Sequence, residues 1–158
     1  MTAENQKPVW HAEMAECLAD PVFQAVEWNG RTTDWFLQDQ VKLVNKFKFS
    51  MDITIFTAGG TITGQLISAE EYFRLYAESF SEAFPEEQRQ EIREAYEAKG
   101  RVLSQETDDE GAPSPQFLHL KSARLCSPSG QIPSAPGVLW RGTIASTSGF
   151  SLGELLVS

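Results

Sequence analysis

The chain has 158 residues, 41 % of them hydrophobic, which suits one domain with a sizeable core and some decoration. Its longest apolar runs are a few residues, far below the roughly 20 that a spanning helix needs, and its first residues, MTAENQKPVW, lack the basic and apolar regions of a secretory signal. With 22 acidic against 13 basic residues the formal net charge is −9, which favours solubility and discourages anionic partners, nucleic acid among them.

The first twenty residues carry few periodic signals. Asp20-Pro21 is expected to open a short helix that Asn29-Gly30 closes. Residues 1–30 are therefore expected to form an N-terminal extension and 31–158 a single domain. From Thr33 to Asn45 the spacing of Leu37, Val41 and Val44 predicts a helix, its stripe broadened by Phe36 and Leu43. Asp34 near its start and Lys42 and Lys46 near its end complement the helix dipole. The cluster Lys42, Lys46 and Lys48 reads as a solvated helix end.

The period then changes to two. Phe47, Phe49, Met51, Ile53 and Ile55 alternate with polar residues and predict a strand. Gly59 and Gly60 turn the chain, and Thr61 to Ile67 runs back, with Gly64 marking a bulge or bend. Ser68-Ala69-Glu70-Glu71 is a capping box that opens a helix carrying Tyr72, Phe73, Tyr76 and Phe80 on one face. After Pro85, a charged helix is expected from Glu86 to Lys99 with Gly100 as its stop, making 69–100 a helical insertion. Residues 105–115 read as an acidic loop rich in Gly and Pro. Strands are expected over Phe117–Leu125 and Val138–Ala145, with a turn at Ser127–Gly130 and a last pairing segment at Gly149–Gly153.

Runs of strands with segregated helices predict an α+β fold. The expected form is a small, strongly bent antiparallel β-sheet or open barrel, with an N-terminal helix across one end and the helical pair inserted between strands 2 and 3.

Reactive groups are scarce. Two cysteines, Cys17 and Cys126, are too few for a disulfide framework and fit a reducing compartment. His119 and Cys126 lie at opposite alternation, which disfavours a nucleophile pair, and His11 and Cys17 lack zinc spacing, so neither a metal nor a cofactor is expected. Gly59-Gly60-Thr61 joins two strands and lacks the Lys of a phosphate loop. Ser146, Ser148 and Ser151 have no neighbouring histidine in sequence. Glu70, Glu71, Asp108, Asp109 and Glu110 read as caps and solvated charges. Trp140-Arg141-Gly142 carries more: an Arg between a large aromatic and a glycine in a strand can hold a carboxylate or ligand, or stack outward on an aromatic.

Two segments together, residues 52–73 (DITIFTAGGTITGQLISAEEYF) and 117–155 (FLHLKSARLCS…PGVLWRGTIASTSGFSLGEL), resemble the GvpU accessory family of gas vesicle clusters. The resemblance implies a non-catalytic, cytoplasmic, vesicle-associated protein that acts in vesicle assembly or organisation by binding itself and other gas vesicle proteins. The expected interaction edge is Trp140, Arg141, Gly142, Phe150 and Leu152, within a self-association segment running from Val138 to Leu155. The same segments also look like an Sm-like barrel, in which Arg141 and Lys121 would mark a nucleic-acid face. The base-binding loop of that fold is missing, because Ser68-Ala69-Glu70 leads into a helix. A small enzyme or small-molecule-binding protein, with a deep pocket gathering His119 and carboxylates, is the remaining alternative.

Overall fold

The computed structural model describes residues 19–21, 33–104, 114–134 and 136–155. The chain divides into two units, Met1–Thr32 and Thr33–Ser158, and the elements below belong to the second. Most of the helix expected to run from Asp20 to Asn29 and most of the acidic loop lie outside the described residues.

Helix α1 spans Trp35–Phe47 and is capped by Asp34, whose carboxylate accepts from the amides of Phe36 (2.9 Å) and Leu37 (3.1 Å). It runs two residues past its expected end, into what the alternation marked as strand. Lys48 takes the left-handed conformation (φ 55°, ψ 34°) and its amide donates to the Val44 carbonyl, which stops the helix there. Strand β1 is therefore Met51–Thr57, shorter than expected, and β2 is Gly60–Ile67. Helices α2 (Ala69–Ser81) and α3 (Glu86–Ser104) follow, then β3 (Phe117–Ser127), β4 (Gly130–Ile132), β5 (Val138–Thr143), a 3-10 turn (Ile144–Ser146) and β6 (Thr147–Leu152). The strand expected to reach Ala145 ends at Thr143, because the 3-10 turn reverses the chain. The short strand β4 was not foreseen.

All pairings are antiparallel, in the order β4–β3–β2–β1–β6, with β5 beside β4 on the outer edge of β3. The fold is thus α+β, as expected, with the helical pair between β2 and β3 and a sheet that does not close. The bend has a local origin. Ser122 sits at positive φ (51°), and the registers of β3 with β2 and with β5 both shift around it. Gly64 faces this bulge, with its virtual Cβ 3.0 Å from the Ala123 Cα.

One face of the sheet holds the core. Leu37, Val41 and Val44 of α1 pack with Ile53, Ile55, Leu66, Leu118, Leu120, Ala123 and Ile144. Burying one such side chain contributes about 2 kcal/mol. The other face is covered by α2 at the β3–β5 end and by residues 153–155 over β1 and β2.

The start of α2 ties three elements together. Ser68 accepts from the Glu71 amide, Asn45 of α1 from the Ala69 amide, and Ser104 of α3 from the Glu70 amide, all at 2.9–3.1 Å. Only half of the capping box forms: the Glu71 carboxylate turns to Lys121 on β3, 2.8 Å away. Gly100, expected to stop α3, is buried inside it. A Cβ there would lie 2.9 Å from the Phe73 Cβ and 3.0 Å from the Glu70 Cα, so the glycine permits the close crossing of α2 and α3. Gly100→Ala is expected to cost about 1 kcal/mol net, overpacking outweighing the gain in helix propensity. Urea unfolding checks this, and a stabilised variant would refute the packing account.

Candidate interaction site

Strand β5 lies on β3 with Trp140 opposite Leu120, Arg141 opposite His119 and Gly142 opposite Leu118. Alternation sends Trp140 to the core face and Arg141 to the face under α2. The Trp140 ring lies across Gly142, where any Cβ would overlap it. Gly142 is therefore the space into which Trp140 folds.

Arg141 is exposed but held from two sides. Its guanidinium carbon sits 3.6 Å from the centroid of the Phe117 ring, and its Nε donates to His119 Nε2 at 3.3 Å. His119 is only 4 % exposed and lies under Tyr72 (ring centroids 4.6 Å apart) and Phe73 (6.1 Å). Burial first, and the Arg141 charge second, push its pKa from 6.5 down to about 4. The neutral imidazole accepts at Nε2, which assigns its proton to Nδ1, and that buried nitrogen has no hydrogen-bond partner among the described residues. Burial also raises the Tyr72 pKa; Arg141 opposes that shift and Tyr76 adds to it.

Beside this cluster, Tyr72, Tyr76, Ser79 and Phe80 of α2 and Leu139 of β5 line an open groove of about 270 Å³. The aromatic row on α2 that the sequence marks is its wall. Tyr76 stacks on Phe80 (5.4 Å) and meets Tyr96 of α3 (5.2 Å).

The five residues expected to share an edge do not form one patch. Trp140, Arg141 and Gly142 are on β5 at one end of the sheet, whereas Phe150 and Leu152 are on β6 at the other, opposite Ile55 and Ile53 of β1. Phe150 packs against Phe36 of α1 (5.7 Å), and Leu152 is 71 % exposed. Gly59 and Gly60 lie at the β1–β2 turn. Lys121 is tied to Glu71 rather than joining Arg141 in a free basic face. His119 and Cys126 are kept apart: Cys126, a free thiol, faces Thr61 and Gln131 across its two ladders. Among the described residues no three His, Cys, Asp or Glu side chains gather as metal ligands. Phe117, Tyr72 and Leu139 were missed as site residues. Alternation along β3 places Phe117 beside His119, but nothing local tells that β5 lies against them.

These features define an α+β protein that, among the described residues, presents two unpaired sheet edges, an arginine lacking an acidic partner, and exposed apolar side chains. Residues 34–155 match the family model described as gas vesicle protein GvpU-like, and the chain belongs to that family, a gas vesicle accessory family. No curated protein matches the chain, and no solved structure does. Among the described residues no helix is long and apolar enough to cross a membrane.

Proposed function

We propose that the protein acts in the cytoplasm, without turnover, in the assembly or organisation of gas vesicles, through self-association and contacts with other vesicle proteins. The observation that carries this reading is the open sheet: β5, with β4 beside it, and β6 are edges at opposite ends, each with one side unpaired among the described residues. An unpaired edge offers a row of amides and carbonyls to another strand. Because the two edges differ, β6 of one copy set against β5 of the next gives a head-to-tail contact that forms a ring or a filament. Side chains support that pairing. Ile62, Leu125, Ile132, Val138 and Trp140 line an apolar hollow of about 230 Å³ beside β5, and Leu152 projects from β6 on the same face of the sheet as Ile53.

Leu152→Lys tests this, since the residue is exposed and its replacement spares the core. Wild type is expected to show a mass well above one chain by light scattering at micromolar concentration, and the variant the mass of a monomer. A monomeric wild type, or a variant that assembles unchanged, would sink the edge-pairing reading.

A further inference from the structure

We propose that the groove between α2 and β5, together with Arg141, which follows Leu139 on the same face of β5, is a carboxylate-recognition site that takes a peptide segment carrying an aromatic side chain next to an Asp or Glu. The inference does not depend on edge pairing, because Arg141 points its chemistry to the sheet face under α2 and not along the strand edge.

Arg141 stands apart from the other arginines among the described residues; of the lysines, Lys99 likewise lies over a ring, that of Tyr96, with no carboxylate in ion-pair distance. Lys48, Arg74, Arg101, Lys121 and Arg124 each have a carboxylate within ion-pair distance. Arg89 instead donates to the Phe84 and Glu82 carbonyls at the end of α2, and Arg93 to Ser81. Arg141 has an aromatic ring below it and an imidazole at Nε, and among the described residues no acidic partner. In a chain with nine more acids than bases, an exposed arginine without one is unexpected. Its Nε is occupied by His119, so the two terminal nitrogens remain for a ligand, and an arginine fork binds a planar carboxylate through two parallel hydrogen bonds.

The guanidinium is also pre-organised. Stacking on Phe117 and the bond to the buried His119 fix its plane before any ligand arrives, which lowers the entropy cost of binding. The neutral state of His119 suits this role, since a second positive charge there would repel Arg141.

The groove decides what must accompany the anion. Tyr72, Tyr76, Phe80 and Leu139 offer aromatic and aliphatic surface, with hydroxyls from the two tyrosines and Ser79. About 270 Å³ is small beside the usual range for small-molecule and cofactor sites, and it suits a side chain of aromatic size. The chain's own excess of acid disfavours a doubly charged phosphate more than a single carboxylate.

The probe is the capped peptide Ac-Leu-Phe-Glu-Leu-NH2, titrated into the full chain and into Leu152→Lys, which separates this site from self-association. Binding is read by amide chemical shifts at Tyr72, Ser79, Leu139 and Arg141. Saturable shifts confined to those residues are expected in both proteins. The peptide with Gln for Glu, and the variant Arg141→Gln, should each bind about tenfold more weakly. Arg141→Lys keeps the charge without the fork and should fall between. Ser79→Trp, at an exposed position, should abolish binding by filling the groove while Arg141 stays intact. Absence of shifts at millimolar peptide, equal affinity for the Gln peptide, or displacement by inorganic phosphate at lower concentration would each overturn the assignment.

Discussion

Between pH 6.5 and pH 4 the folded protein is expected to lose about 3 kcal/mol through His119 alone. A base whose pKa is lower in the folded state than in the unfolded one takes up a proton when the chain opens. The contribution of His119 is therefore full above its unfolded value of 6.5 and falls as the pH drops towards about 4, below which both states carry the proton. The cause is geometric: the imidazole is 4 % exposed beneath Tyr72, and its Nε2 already accepts from Arg141, so a proton arriving there breaks that bond and faces a fixed positive charge. The Tyr72 phenol, its pKa raised by burial, does not titrate in this window. Carboxylates do, so the measurement is a comparison. His119→Phe keeps a ring under Tyr72 and removes the titration. Urea unfolding of both proteins at intervals across this range should show wild type losing about 3 kcal/mol more than the variant. Parallel curves would mean that His119 takes its proton without loss of the fold.

The same cluster shows which parts of this molecule are written locally in its sequence. Helix α1 is legible from Leu37, Val41 and Val44, all buried. The β1–β2 hairpin is legible from its glycines and alternation, and α2 from Ser68. Where two local signals competed, tertiary structure chose. Phe47 and Phe49 continue the alternation of β1 by coincidence, but Lys48 in the left-handed conformation ends a helix there instead. Gly100 carries the composition of a helix stop, yet Phe73 and Glu70 across the α2–α3 crossing are what require it. Ser122 bends β3 at a position where nothing but the assembled sheet calls for positive φ. The site was half legible for the same reason. Alternation puts Arg141 on the opposite face from Trp140, but only the pairing of β5 with β3 sets it against His119. The pairing of β6 with β1 then carries Phe150 and Leu152 to the far end of the sheet.

Thr63→Val is expected to destabilise the protein by about 2–3 kcal/mol, although the two side chains have nearly the same shape. Thr54 and Thr63 are almost fully buried on facing strands, their hydroxyls 3.1 Å apart. Thr54 Oγ1 donates to the Gly153 carbonyl at 2.8 Å, and the Leu155 amide donates to Thr63 Oγ1 at 3.0 Å. The direction of the chain follows: with its own proton spent on Gly153, Thr54 must accept from Thr63, whose oxygen in turn takes the Leu155 amide. Every group has a partner, and together they hold the C-terminal segment over β1 and β2, helped by the Arg124–Glu154 ion pair at 2.9 Å. Valine at 63 removes both the bond to Thr54 and the acceptor for Leu155, and leaves that amide to find water or stay unpaired. Thr54→Val should also destabilise, and the double variant should cost less than the sum of the singles, because the bond between the hydroxyls is lost only once. Hydrogen exchange at 153–155 should quicken in each variant. Additive losses, or unchanged exchange at Leu155, would show that the strap is held by something other than these two hydroxyls.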